Sequence, residues 1–172
     1  MRNTKLFHFV LALVLFSGLL VLPAIVSAQN GLLLGAWKQT EYSFTSTDTS
    51  FTIKSPQPSL HIFGIKYYSF MYVRGNEPRP LMADDATRST ITDEQMTSIF
   101  MPFTANSGTY ELDGSKLTTN PLVALWPNYM TGGIGTYEYH LEGDTLLLTW
   151  TGRTTGNKYK VKLTRLEQFS AK

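Results

Sequence analysis

The chain predicts an all-β domain, an antiparallel eight-stranded barrel with one inserted helix, behind an N-terminal export signal. Three observations carry this reading. After residue 28, short β-branched and aromatic runs alternate in polarity between turn dipeptides, at the spacing of a barrel or sandwich. One stretch, beginning at Thr92, carries a helix start signal followed by apolar residues at helical spacing. The first 28 residues have the three-part layout of a secretory signal.

That leader has Arg2 and Lys5 as a short positive region. An apolar run follows from Leu6 to Leu22, broken only by His8, Ser17 and Gly18. Pro23 ends the run, and Val26-Ser27-Ala28 sets small residues where a signal peptidase reads. Cleavage after Ala28 leaves residues 29–172 as one domain, exported to a periplasm or secreted. The alternative is an uncleaved anchor, because the run is near the lower limit for crossing a bilayer, roughly 17–25 residues. The chain has no cysteine, which excludes a lipoprotein anchor, disulfides and thiol chemistry.

The formal charge of +2 belongs to the precursor. Of its 15 basic residues, Arg2 and Lys5 leave with the signal, and the remaining 13 balance the 13 acidic ones. A near-neutral domain has no electrostatic reason to bind nucleic acid or an anionic membrane. Its oligomeric state is left open.

The strands read in order as follows. Gly35 to Thr45 is the first. The second is interrupted, with a short piece at Phe51 to Ile53 and a firmer part at Leu60 to Phe63 after Pro56 and Pro58. Tyr67 to Val73 is the third. Arg74 to Ser89 is a loop rich in Pro, Gly and charge. Next comes the helix, with Thr92-Asp93-Glu94-Gln95 as a capping box and Met96, Ile99, Phe100 and Phe103 as its apolar stripe. Gly108 to Leu112 and Lys116 to Asn120 form a hairpin around Asp113-Gly114. Thr136 to Leu141 and Thr145 to Trp150 form another around Gly143-Asp144, and Lys158 to Arg165 closes the set. In this last strand Lys158, Lys160, Lys162 and Thr164 face one side and Tyr159, Val161, Leu163 and Arg165 the other, as one wet and one buried face require.

The opening Gly35-Ala36-Trp37 and the late Arg165 resemble the lipocalins and the wider calycin barrels. In that family these residues meet, with the arginine over the indole face, and close one barrel end; Gly35, Trp37 and Arg165 are the matching positions here. A longer series is similar to the bacterial lipocalin-like domain family. It comprises Leu33-Leu34-Gly35-Ala36-Trp37, Tyr67-Tyr68-Ser69-Phe70-Met71-Tyr72-Val73, Pro78-Arg79-Pro80, Thr92-Asp93-Glu94-Gln95, Ser107-Gly108-Thr109-Tyr110-Glu111 and Tyr137-Glu138-Tyr139. The chain has a helix inserted mid-chain and no long C-terminal helix. The resemblance implies a barrel holding a small, mainly apolar molecule, and no catalytic residues.

Aromatic residues concentrate on the strands. Tyr67, Phe70, Met71 and Tyr110 in the first half, and Tyr137, Tyr139, Trp150 and Tyr159 in the second, are the candidate ligand walls. The same rings could instead fill a solid core. Arg79, stiffened between Pro78 and Pro80, is a candidate to meet a ligand carboxylate at the mouth. Of the histidines, His140 alternates with Glu138 and Glu142 on the wet face, and His61 sits in an apolar strand as a core residue. Neither stands in a metal-ligand spacing, so no metal or cofactor is expected.

Two other readings compete with the binder. A barrel enzyme, of isomerase or cyclase type, would be marked by a charged residue forced inward, with Glu111 the first suspect. A solid interaction module would act through its loops, above all Trp126-Pro127-Asn128-Tyr129-Met130. Gly132-Gly133-Ile134-Gly135 has no helix after it and is a flexible loop rather than a phosphate cradle.

Overall fold

The computed structural model of the protein describes residues 31–85 and 90–170; the export signal at 1–28 lies outside these residues. The strands are β1 (Gly35–Thr45), β2 (Ser50–Lys54), β3 (Ser59–Phe63), β4 (Tyr67–Val73), β5 (Phe103–Asp113), β6 (Lys116–Ala124), β7 (Gly135–Glu142), β8 (Thr145–Thr151) and β9 (Lys158–Gln168). A helix, α1 (Asp93–Phe100), lies between β4 and β5. All pairings are antiparallel, in the order β2-β1-β3-β4-β5-β6-β7-β8-β9, and β1 also pairs with β9. Eight strands thus close a barrel, and β2 is an additional strand on the edge of β1.

The interrupted second strand has a clear cause. β2 and β3 line the same edge of β1, but their registers differ: Glu41 faces Lys54, whereas Trp37 faces His61. Between them Ser55 adopts a φ of 61°, and Pro56 and Pro58 lack the N–H a ladder needs. The break is bridged by local hydrogen bonds, with the Gln39 N–H donating to the Ser59 hydroxyl (2.7 Å) and the Ser55 N–H to the Thr40 carbonyl (3.2 Å). β2 pairs only with β1, so the barrel wall is incomplete at this end.

Period-two alternation sorts the side chains. Leu146 and Leu148 on β8, and Val161 and Leu163 on β9, face the core, while Lys158, Lys160 and Lys162 face water. The two hairpins turn at Gly114 (φ 58°) and Gly143 (φ 54°), the positive dihedrals that tight hairpins demand.

The helix is shorter than its apolar stripe. Its capping box forms, with the Gln95 N–H donating to the Thr92 hydroxyl (3.3 Å) and the Thr92 N–H to the Gln95 side chain (2.9 Å). Pro102 prevents continuation. Phe103, expected on the helix, is instead the first residue of β5, which begins five residues earlier than the alternation indicated. The last turn of α1 has no basic residue of its own, so the preceding loop supplies two. Arg79 donates to the Ile99 carbonyl (3.3 Å) and Arg74 to the Met101 carbonyl.

Candidate functional site

The barrel is solid at one end and hollow at the other. At the solid end Trp37, Phe63, Leu117, Leu146 and Leu163 are all completely buried. The Trp37 indole N–H donates to the Leu33 carbonyl (3.1 Å), and the Arg165 guanidinium carbon lies 4.0 Å from the centre of its ring. Arg165 also donates to the Leu34 carbonyl (3.0 Å), the Leu32 carbonyl (2.8 Å) and Asp144 (2.9 Å). It therefore ties β9 to the segment before β1 across the barrel floor. Gly35 permits that approach: a Cβ there would sit 2.1 Å from the Glu167 carbonyl oxygen, and its φ is +145°.

Above this floor a cavity of about 830 Å³ opens toward the end where β2 leaves the wall. One side is an aromatic arc built by strand register. Phe44 on β1 faces Tyr159 on β9, which faces Trp150 on β8. Tyr159 and Trp150 stack with centroids 4.9 Å apart and planes 7° apart, and Tyr137 meets Trp150 edge-on at 5.5 Å. Another side carries His61 and Tyr72, stacked at 5.8 Å with planes 11° apart, beside Phe70. Trp126 and Tyr129, from the loop after β6 and its 3₁₀ turn (Pro127–Tyr129), border the rim.

Burial sets the electrostatics of this chamber. His61 is 4% exposed, its Nδ1 has no hydrogen-bond partner, and burial alone lowers its pKa to about 4. The ring is neutral at ordinary pH. Burial likewise pushes the Tyr42 hydroxyl up to about 12 and that of Tyr137 well above its usual value. Both of these hydroxyls therefore remain protonated. Among the described residues the one charged side chain on the lining is Arg74, with no Asp or Glu.

The candidate walls divide. Phe70, Tyr137, Trp150 and Tyr159 line the cavity. Tyr110 is buried in the solid half, where its hydroxyl donates to the Gly64 carbonyl (2.7 Å), and Tyr139 packs against that core without reaching the cavity. Tyr67 and Met71 need correction. Both alternate outward from Tyr68, Phe70 and Tyr72 on β4, are 56% and 37% exposed, and cannot wall the interior. Arg79 caps α1 and lies over the Phe103 ring at 5.4 Å, and it is not among the residues that line the cavity.

Glu111, the first suspect for a charge forced inward, faces outward and is exposed. The solid-core alternative describes only the floor half. Among the described residues no group of three His, Cys, Asp or Glu side chains is arranged to hold a metal ion.

His61, Arg74, Tyr42 and the rim residues were not among the expected ligand walls. His61 alternates with Phe63 on one face of β3, which places it inward, but alternation cannot distinguish a core position from a lumen position. Arg74 follows the last residue of β4 and carries no motif.

No family model and no curated protein matches the sequence. Among solved structures, an uncharacterized protein from Bacteroides eggerthii is similar at 13% identity with a TM-score of 0.40, over 77% of this chain and 98% of that one.

Proposed function

We propose that this is an exported lipocalin-like protein that holds a small, largely apolar molecule in the open half of its barrel. The observation that carries this reading is the aromatic-lined cavity of about 830 Å³ above a sealed floor. Its size falls within the roughly 300–1,000 Å³ usual for small-molecule pockets, and its lining has the usual makeup of rings with a few polar groups. The Trp37–Arg165 closure, at 4.0 Å, supports the lipocalin-like assignment, and the leader at 1–28 supports export. Among the described residues the chamber is lined by rings and neutral polar groups with a single charge, Arg74, a makeup suited to holding a ligand.

The test is native mass spectrometry of the protein recovered after export, paired with titration of a neutral polarity-sensitive dye, N-phenyl-naphthylamine. A discrete adduct mass that the dye displaces is the expected result. An empty protein that leaves the dye dark would refute carriage.

A further inference from the structure

The hollow half of the barrel has a charge pattern that apolar carriage alone does not need. Arg74 stands at the end of β4 and contributes to the cavity wall. One of its five N–H donors goes to the Met101 carbonyl. Among the described residues the salt bridge is Arg165 with Asp144, and no carboxylate pairs with Arg74. Its positive field reaches the hydroxyls of Tyr42 and Tyr72, whose pKa values it lowers against the larger upward push of burial. Tyr42, Tyr72 and Arg74 all belong to the cavity wall, and Tyr72 stands two residues before Arg74 at the end of β4. All three can donate hydrogen bonds, and no acidic side chain stands among them.

Arg74 is exposed at the cavity wall, so an anion can reach it, and beside apolar rings the pairing is stronger than in bulk water. Along the same wall the rings of Trp150 and Tyr159, near the open ends of β8 and β9, stack on each other, as do those of His61 and Tyr72. They match the π-faces of an aromatic body better than a flexible alkyl chain. The buried Nδ1 of His61, on the same cavity wall, has no hydrogen-bond partner.

Building on the pocket reading above, we propose that the ligand is a flat aromatic organic anion, its acidic group held by Arg74, Tyr42 and Tyr72 and its ring body lying among Trp150, Tyr159 and His61. Arg74 is then the residue that selects charge, and the arc of rings selects shape.

Two dyes with the same aromatic body separate these roles: anionic anilinonaphthalene sulfonate and neutral N-phenyl-naphthylamine. Both are titrated by fluorescence into the wild type, Arg74→Gln and Arg74→Lys. The expected result is that the wild type binds the sulfonate about tenfold more tightly than the neutral dye. Arg74→Gln abolishes that preference, and Arg74→Lys retains most of it. The ratio of the two affinities within each protein is the quantity read, so a general change in pocket affinity on substituting Arg74 cancels. Equal wild-type affinities, or a preference that survives Arg74→Gln, overturn the anion assignment and leave the apolar pocket standing. Failure of both dyes to bind overturns the pocket and the anion assignment together.

Discussion

Replacing His61 with leucine removes a buried ionisable ring with little change of volume, and the consequence is a change in how stability depends on pH. In the folded protein burial lowers the His61 pKa from 6.5 to about 4, and no neighbouring charge contributes to the shift. Above the unfolded value the ring is neutral in both states and costs nothing. As pH falls below it, the unfolded chain takes up a proton that the folded chain refuses, so stability is lost between about pH 6.5 and pH 4. Going from about pH 7.5 to about pH 4.5, this one group should cost the wild type about 2.5 kcal/mol. In urea denaturation that is a fall in midpoint of about 1 M. His61→Leu should lack this component, and at neutral pH it should be at least as stable as the wild type, since the unsatisfied Nδ1 is gone. Carboxylate titration is common to both proteins and cancels in the comparison. Parallel loss of stability in the two proteins would refute the reasoning, because it would mean His61 is protonated in the fold.

Three further outcomes follow from the geometry. Arg165→Ala should destabilise by about 3 kcal/mol in chemical denaturation, because it strips the Trp37 face and removes a charged donor from each of the Leu34 and Leu32 carbonyls. Asp144→Asn, at the exposed end of the same network, should cost under about 1 kcal/mol. Gly35→Ala should cost about 3 kcal/mol or more in thermal unfolding, since its Cβ would strike the Glu167 carbonyl and its φ disfavours a side chain. Ala124→Trp, which projects a large ring into the cavity from β6, should weaken N-phenyl-naphthylamine binding about tenfold while circular dichroism stays unchanged.

The barrel was largely legible in the sequence because its strands are amphipathic. Lys158 to Arg165 alternates without exception, and so does Tyr137 to Glu142, so both their existence and their faces follow from period two. The proline pair at 56 and 58 disclosed the break that separates β2 from β3. The start of β5 was hidden for a physical reason. Phe103 falls at helical spacing after Phe100, and only Pro102 between them signals the change of structure.

The site was less legible. Tyr67-Tyr68-Ser69-Phe70-Met71-Tyr72 is apolar at nearly every position, so alternation cannot say which residues point inward. Where a barrel changes from solid to hollow depends on how far each inward side chain reaches across the lumen. Tyr110 and Tyr137 are the same residue type at inward positions, yet one fills the floor and the other lines the chamber. Arg74 escaped notice because its role comes from the strand that carries it to the cavity wall, not from its neighbours in sequence.

The central claim, that a small molecule enters the open half of the barrel, is tested most directly by the three tryptophan indole N–H resonances of isotope-labelled protein titrated with N-phenyl-naphthylamine. Trp150 lies in the cavity wall, Trp126 borders the rim, and Trp37 is sealed in the floor with its N–H bonded to Leu33. The account predicts that the Trp150 and Trp126 signals shift with the dye while that of Trp37 stays fixed. Saturating dye fluorescence with all three signals unmoved would place the ligand outside the barrel and contradict the account.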